Sequence, residues 1–366
     1  MTITNPAKIK VFGVGGGGCN MVNSMYELPD IDTESIEIYA VNTDVQHLNI
    51  LSVPNKIQIG EKVTKGLGAG ADPSMGERAA LEDKDKLQEL MKDADMVFIS
   101  AGLGGGTGTG AAPVIAGLAK EMGILTVAVV TTPFSFEGKD KMKRAEKGLE
   151  ELKKNVDTYI VIHNQRLSDL DIPETRDMTF AKAFKMVDTV LAKTVYGITN
   201  IIVAPALINV DFADVRTIMH NGGLALIGIG EGEGPNKVEE AVESAINSPL
   251  LEGSNISGAR RMLITVWVSE DTQFQDVENA INRIRLNADE NVNLIFGAIL
   301  DGERSDYMRI AVIATDFGEP QQNKQPEFKV IDKRSTDPYR IPAINQDYDI
   351  NDIENVPAVI RRPPRT

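Results

Sequence analysis

Four groups of residues have types and spacings that chemistry can use. Residues 104–110, GGGTGTG, place five glycines and two threonines between the apolar run Val97-Phe98-Ile99 and a stretch, 111–120, with helical apolar spacing. A strand that passes through glycines into a helix start leaves free backbone N–H groups with no Cβ in front of them, which makes a cradle for phosphate. Thr107 and Thr109 add hydroxyl donors to it. Gly13, Gly15 and Gly18 repeat the arrangement as G-x-G-x-x-G, after a strand predicted at 8–15 and before a helix predicted at 20–28. Phe184 and Asp188 are four apart on a long helical stretch, 179–202, and share one face. A ring to stack on a base, beside a carboxylate to accept from N1 and N2, prefers guanine; a core phenylalanine next to a solvated aspartate is the plainer reading. Asn209, Asp211 and Asp214 stand together before a further helix. Their carboxylates either cap that helix or orient and deprotonate a water.

The elements that must hold these groups follow from the apolar pattern. Residues 36–41 read as a second strand ending at Asn42-Thr43-Asp44, where an acidic residue can meet a ribose. On residues 13–44 alone, a nicotinamide-dependent Rossmann oxidoreductase is a fair rival; the second glycine loop is what that reading does not need. Residues 64–73, TKGLGAGADP, form another glycine loop that closes over the ligand edge or is an ordinary surface loop, and 81–91 reads as one charged amphipathic helix. Strands at 124–131 and 159–163, with a basic helix ending near Asn155, complete a doubly wound, mostly parallel α/β domain with its ligand at the carboxyl ends of the strands. Strands at 225–230, 261–268, 292–300 and 308–315, with helices at 238–246 and 277–286, predict a smaller α+β domain. The expected division is 1–178 for nucleotide binding, 179–203 for a central helix, 204–316 for the α+β domain, 317–350 for a disordered linker and 351–366 for a partner-docking peptide.

Composition removes several classes. The net charge of −15 disfavours a nucleic-acid backbone as partner. Cys19 is the only cysteine, so no intrachain disulfide can form; inside the first glycine loop it is a conceivable thiol at a helix start or a small residue that fits. The histidines are His47, His163 and His220, without H-E-x-x-H, so neither a zinc site nor a Ser-His-Asp hydrolase has support. Gly138-Lys139 is followed by Asp140, and no G-x-x-x-x-G-K-[ST] occurs, which excludes an ordinary P-loop NTPase. The amino terminus has no apolar leader core and no run approaches a membrane span, so a soluble cytoplasmic protein is expected.

With GGGTGTG at 104–110 and NVDFADV at 209–215 in this order around a long central helix, the sequence resembles the FtsZ family of bacterial cell-division proteins, in the tubulin superfamily. The resemblance covers roughly residues 8–316 and returns in the last dozen or so. It implies a first phosphate loop of Gly16, Gly17, Gly18, Cys19 and Asn20, and a signature loop containing Gly105, Gly106, Thr107, Gly108 and Thr109. Ribose and base contacts are implied for Glu137, Asn164, Phe184 and Asp188, with Lys141 at a position where the family usually carries arginine. Lysine there gives a point charge in place of a two-pronged contact. His163 stands before Asn164 where proline is expected.

The resemblance further implies GTP hydrolysed to GDP with Mg²⁺, and a synergy loop of Asn209, Asp211 and Asp214 acting on the next subunit's nucleotide. A head-to-tail homopolymer forming the mid-cell division ring follows, with a non-hydrolysing nucleotide-bound filament scaffold as the structural alternative. Neither nucleic-acid binding nor membrane insertion is implied. The terminal peptide Val356, Pro357, Ala358, Val359, Ile360, Arg361 and Arg362 resembles the family's docking segment for membrane anchors such as FtsA.

Overall fold

A computed structural model describes residues 7–28, 35–168, 179–203, 206–248, 256–302 and 304–318 of the chain. The expected linker and docking peptide, from 319 onward, lie outside the described residues. In chain order the first part is β1 (Ile9–Val14), α1 (Gly15–Tyr26), β2 (Ile36–Asn42), α2 (Val45–Asn49), β3 (Asn55–Gln58), α3 (Glu61–Thr64), α4 (Pro73–Glu82) and α5 (Lys84–Met91). It continues with β4 (Met96–Gly102), α6 (Thr107–Glu121), β5 (Leu125–Thr132), α7 (Lys139–Lys154), β6 (Thr158–His163) and α8 (Asn164–Ser168). Then come α9 (Phe180–Val203), α10 (Phe212–Met219), β7 (Gly223–Leu224), β8 (Leu226–Glu233), α11 (Lys237–Ile246), β9 (Arg261–Val268), α12 (Phe274–Arg285), β10 (Asn293–Leu300) and β11 (Tyr307–Thr315).

The first sheet has the order β3-β2-β1-β4-β5-β6-β7, and every pairing in it is parallel. Every residue of β1 and of β5 is buried, as a parallel strand covered on both faces requires. Alternation then divides the side chains between two cores. Ile9 and Val11 join α1, α9 and α10 on one face, while Phe12 and Val14 join α4, α5 and α6 on the other. The second sheet has the order β10-β9-β11-β8, with β10 and β9 parallel and the other pairs antiparallel. Its Leu263, Trp267 and Ile313 enter the first of those cores, and its alternate residues Met262, Ile264 and Val312 pack with α11 and α12 in a third.

Helix α9 connects the two sheets. Val187, Leu191, Val195 and Ile198 recur at spacings of four, four and three, and bury one stripe in the core shared by both sheets. Contrary to the expectation from sequence, this helix is long and apolar enough to cross a membrane by length and composition, with a mean hydropathy of 1.3. Half of that window is buried inside the protein, so its apolar character is already accounted for by the two sheets it joins.

Three elements differ from the sequence reading. Helix α1 starts at Gly15 and not near 20, so the first glycine loop is itself a helical turn. The helix expected over 81–91 is two helices, α4 and α5, that meet at Asp83, whose carboxylate accepts from Gly60 N–H at 2.7 Å; this long-range bond fixes the break. Gly223 and Leu224, which fall in the expected α+β segment, pair instead with Thr158 and Tyr159 and extend the first sheet.

Candidate active site

Strands β1 and β4 are neighbours, and the chain leaves them in opposite directions across the sheet, so the crevice beyond their carboxyl ends is the topological switch point. Both glycine loops lie there. Gly15 takes φ 72° and packs on the second loop, because a Cβ on it would stand 2.6 Å from Gly108 N. A Cβ on Gly18 would stand 2.3 Å from Ser100 O, so only glycine lets α1 approach β4 this closely. Gly16 and Gly105, by contrast, have no neighbouring atom within 4 Å of where a Cβ would be, and both line a cavity of about 580 Å³. Two helix starts, α1 and α6, thus present backbone N–H groups and positive dipole ends to one cavity, which is a site for anionic phosphates.

Hydrogen bonds hold the second loop in shape. Gly104 N–H donates to Thr109 Oγ1 at 2.8 Å, Arg144 Nε–H donates to Gly104 O at 3.0 Å, and the hydroxyls of Thr43 and Thr107 lie 2.6 Å apart. Beyond β5, a short turn at Ser135–Glu137 brings Glu137 to the cavity, where Lys141 pairs with its carboxylate; Phe134 N–H donates to the same carboxylate at 2.9 Å. Asn164, at the end of β6, lines the cavity with a buried Oδ1 that has no hydrogen-bond partner, an acceptor that a ligand hydroxyl or amino group completes.

From α9, Phe184, Val187, Asp188 and Leu191 face the same space. The Phe184 ring is set edge-on against buried Phe134, with centroids 5.2 Å apart. Burial pushes the Asp188 carboxyl up to about 7, since no neighbouring cation offsets its desolvation. A planar ligand with paired N–H donors relieves that cost, and guanine carries such a pair.

The cavity therefore gathers Gly16, Gly17, Asn20, Gly105, Gly106, Thr107, Gly108, Glu137, Lys141, Asn164, Phe184 and Asp188. Three of the expected residues are not on the cavity lining. Cys19 is fully buried behind the loop, its thiol donating to Gly13 O and Val41 O, and burial raises that thiol to about 12, so it is an inert packing residue. Gly18 serves the approach of α1 to β4, and Thr109 holds Gly104; neither lines the cavity. The glycine loop at 64–73 lines the cavity through Leu67 to Ala71. Asn42 and Asp44, from the strand end named for a ribose contact, also line the cavity; so does His47, which was not singled out from the sequence because a network across β2, α1 and α2, invisible to local spacing, brings it there.

Asn209, Asp211 and Asp214 do not line this cavity. Asp214 N–H donates to Asp211 Oδ1 at 2.9 Å and Asp211 N–H to Asp214 Oδ2 at 3.2 Å, a reciprocal cap on α10. Asn209 Oδ1 accepts from Ala206 N–H at 3.1 Å. Asp211 is exposed and Asp214 half-buried. The helix they start ends on the other edge of the first sheet: Met219 O accepts from Thr158, the first residue of β6, whereas Asn164 follows its last. The intervening run of α9 from Asp188 to Val203 spans about 22 Å at 1.5 Å per residue. The paired carboxylates thus stand apart from the phosphate cradle within one subunit.

Comparison with known proteins gives one answer. The family described as "Tubulin/FtsZ family, GTPase domain" matches residues 8–171, and "FtsZ family, C-terminal domain" matches residues 223–318. The chain is 57% identical over 364 residues to the cell division protein FtsZ of Aquifex aeolicus, covering 98% of this chain and 97% of that one. It is 45% identical to the FtsZ of Wigglesworthia glossinidia brevipalpis over 329 residues, 90% of this chain and 83% of the relative. Among solved structures, an empty FtsZ dimer from M. jannaschii superposes with a TM-score of 0.78 at 43% identity, over 85% of this chain and 89% of that one. CetZ2 from Haloferax volcanii, at 21% identity and a TM-score of 0.69, shares the fold. The nicotinamide oxidoreductase reading, which the order of β1 to β6 alone allows, has no support in these matches.

Proposed function

The chain belongs to the Tubulin/FtsZ family as a cell-division GTPase that binds guanine nucleotide and polymerises, and on that premise we propose how its own residues divide the work. GTP lies with its phosphates over the starts of α1 and α6, against Gly16, Gly17, Gly105, Gly106 and Gly108. Its base stacks on Phe184 and donates N1–H and N2–H to Asp188. Asn164 and Glu137 hold the ribose and base edge, and Lys141, tied to Glu137, supplies a point charge. Mg²⁺, if bound with the phosphates, would supply charge neutralisation there, and it would suit that role because it keeps its waters and needs no all-protein cage. Among the described residues no group of three or more His, Cys, Asp or Glu is placed to hold such an ion.

What supports the rest is that the paired carboxylates do not line the cavity and that the run of α9 from Asp188 to Val203 separates them from it along the chain. One subunit cannot bring Asp211 and Asp214 to its own γ-phosphate, but the next subunit in a head-to-tail stack can. There Asp211 and Asp214 orient a water and take up its proton as it attacks the γ-phosphorus, and GDP leaves with the electron pair of the broken P–O bond. Asn209 positions that loop. The backbone N–H groups of the glycine turns meet the charge that develops on the phosphate oxygens. Exposed Leu207 and Ile208, beside Asn209, supply apolar surface for the contact. We place the filament in the cytoplasm at the division site, with residues 356–362 docking an anchor such as FtsA.

Turnover measured against subunit concentration tests this reading. Specific activity falls towards zero on dilution if the site is shared; activity that stays constant to high dilution overturns it. Light scattering with GTP and then GDP, with released phosphate assayed alongside, separates a hydrolysing filament from an inert scaffold.

A further inference from the structure

His47 lines the cavity with both ring nitrogens engaged by side chains that line it too: Nε2 lies 3.0 Å from Asn20 Oδ1, and Nδ1 lies 3.1 Å from Asn42 Nδ2. The donor and acceptor roles in this chain are fixed from its far end. Asn42 is buried, and its Oδ1 accepts from the backbone N–H groups of Thr43 at 2.9 Å and Asp44 at 3.4 Å. That oxygen is committed to the backbone, so the NH₂ group is what Asn42 turns towards the imidazole. An NH₂ group only donates, and Nδ1 must therefore be the bare, accepting nitrogen. The ring proton sits on Nε2 and is donated to Asn20 Oδ1.

With its oxygen held, Asn20 has its NH₂ group left for a ligand. Asn20 lies four residues beyond Gly16 on α1, on the same helical face and in the same cavity. An N–H donor turned to an anionic ligand attracts it, whereas a carbonyl oxygen in that position repels it. The backbone of His47 is fixed as well, because the Asp44 carboxylate caps α2 by accepting from Gln46 N–H at 2.9 Å and His47 N–H at 3.3 Å.

We propose that His47 is a positioning residue for nucleotide binding: it relays the hydrogen-bond polarity of the β2–α2 backbone to Asn20, so that Asn20 presents its NH₂ group to the anionic part of the nucleotide. The inference rests on the cavity being the nucleotide site. It also distinguishes substitutions that bulk alone does not. Glutamine at 47 carries one acceptor and one donor and can pass the polarity on; leucine fills similar space and passes nothing.

Equilibrium dialysis of radiolabelled GDP against unpolymerised subunits tests it, using the unaltered chain, His47→Leu, His47→Gln, Asn20→Ala and the double variant Asn20→Ala/His47→Leu. His47→Leu is expected to weaken GDP binding about tenfold, in line with losing one hydrogen bond to a charged group. His47→Gln should restore most of that affinity. In the Asn20→Ala background His47→Leu should cost nothing further, because the relay then has no end to act on. Equal affinity of His47→Leu and the unaltered chain, an equal loss in the leucine and glutamine variants, or losses that multiply in the double variant each overturn the relay while leaving the nucleotide site intact. Failure of the unaltered chain to hold GDP overturns the nucleotide reading, and the relay with it.

Discussion

At the carboxyl edge of the first sheet the cavity-facing groups are backbone amides on glycine turns packed against each other; at the start of α10 the groups on offer are an exposed and a half-buried carboxylate that cap each other's backbone. The first region is preorganised. Gly15, Gly18 and Gly104 are locked by contacts and hydrogen bonds made within the protein itself, which keeps the cost of rearrangement on binding low. The second region is uncommitted until a neighbour covers it. Asp211 and Asp214 hold each other by mutual capping, a geometry that stabilises α10 by about 1 kcal/mol. On the proposed division of the site, nucleotide binds in the monomer and is hydrolysed only in the assembly.

The contrast can be broken most forcefully at the carboxylates. Asp211→Ala or Asp214→Ala should retain GTP while turnover in assembled material drops about 10²- to 10⁴-fold, the range for losing a positioned base; loss of GTP binding in a folded variant contradicts a role in trans. Next in size is Gly110→Ala on α6. Its Cβ would stand 1.9 Å from Pro73 O of α4, so urea denaturation should show a loss of about 3 kcal/mol, and unchanged stability contradicts the close approach.

Asp188 gives a smaller, graded effect. Burial raises its carboxyl to about 7, and it must be ionised to accept from guanine. GDP affinity is therefore expected to fall about tenfold per pH unit below 7, with proton release on binding, and to lose that slope in Asp188→Asn. The sign for folding is the reverse. This raised group contributes stability to the fold fully below its ordinary value of 3.8, and the contribution is lost as pH rises through about 7. The smallest effect belongs to Gly105→Ala, which meets no atom within 4 Å: melting should move little, while GDP affinity falls severalfold because the new methyl enters the cavity.

Much of this was legible without coordinates where the pattern is local. Strand β9 falls at the predicted residues, and α9 within a residue or so of its predicted ends, because an unbroken apolar run and a long 3.6-residue stripe each have one good solution. Helix α1 was misplaced because glycines are poor helix formers, and what makes residues 15–18 helical is the approach of Gly18 to Ser100 across the sheet. The break at Asp83 depends on Gly60, which is far away in sequence. His47 stayed hidden for a similar reason: its partners Asn20 and Asn42 come from two other elements.

The sequence by itself determined the chemistry available to this protein: two glycine turns for phosphate, an aromatic and a carboxylate four apart for a base, and a pair of aspartates. Each depends on residue type and short spacing, which the chain carries openly. Only the tertiary structure decided which of these meet. The β1–β4 switch point and α9 bring the glycine turns and Asp188 into one cavity, while that same helix carries the chain on to Asp211 and Asp214, which stand apart from it. Which groups share a site is set by strand order and helix length, and neither is a property of any local stretch.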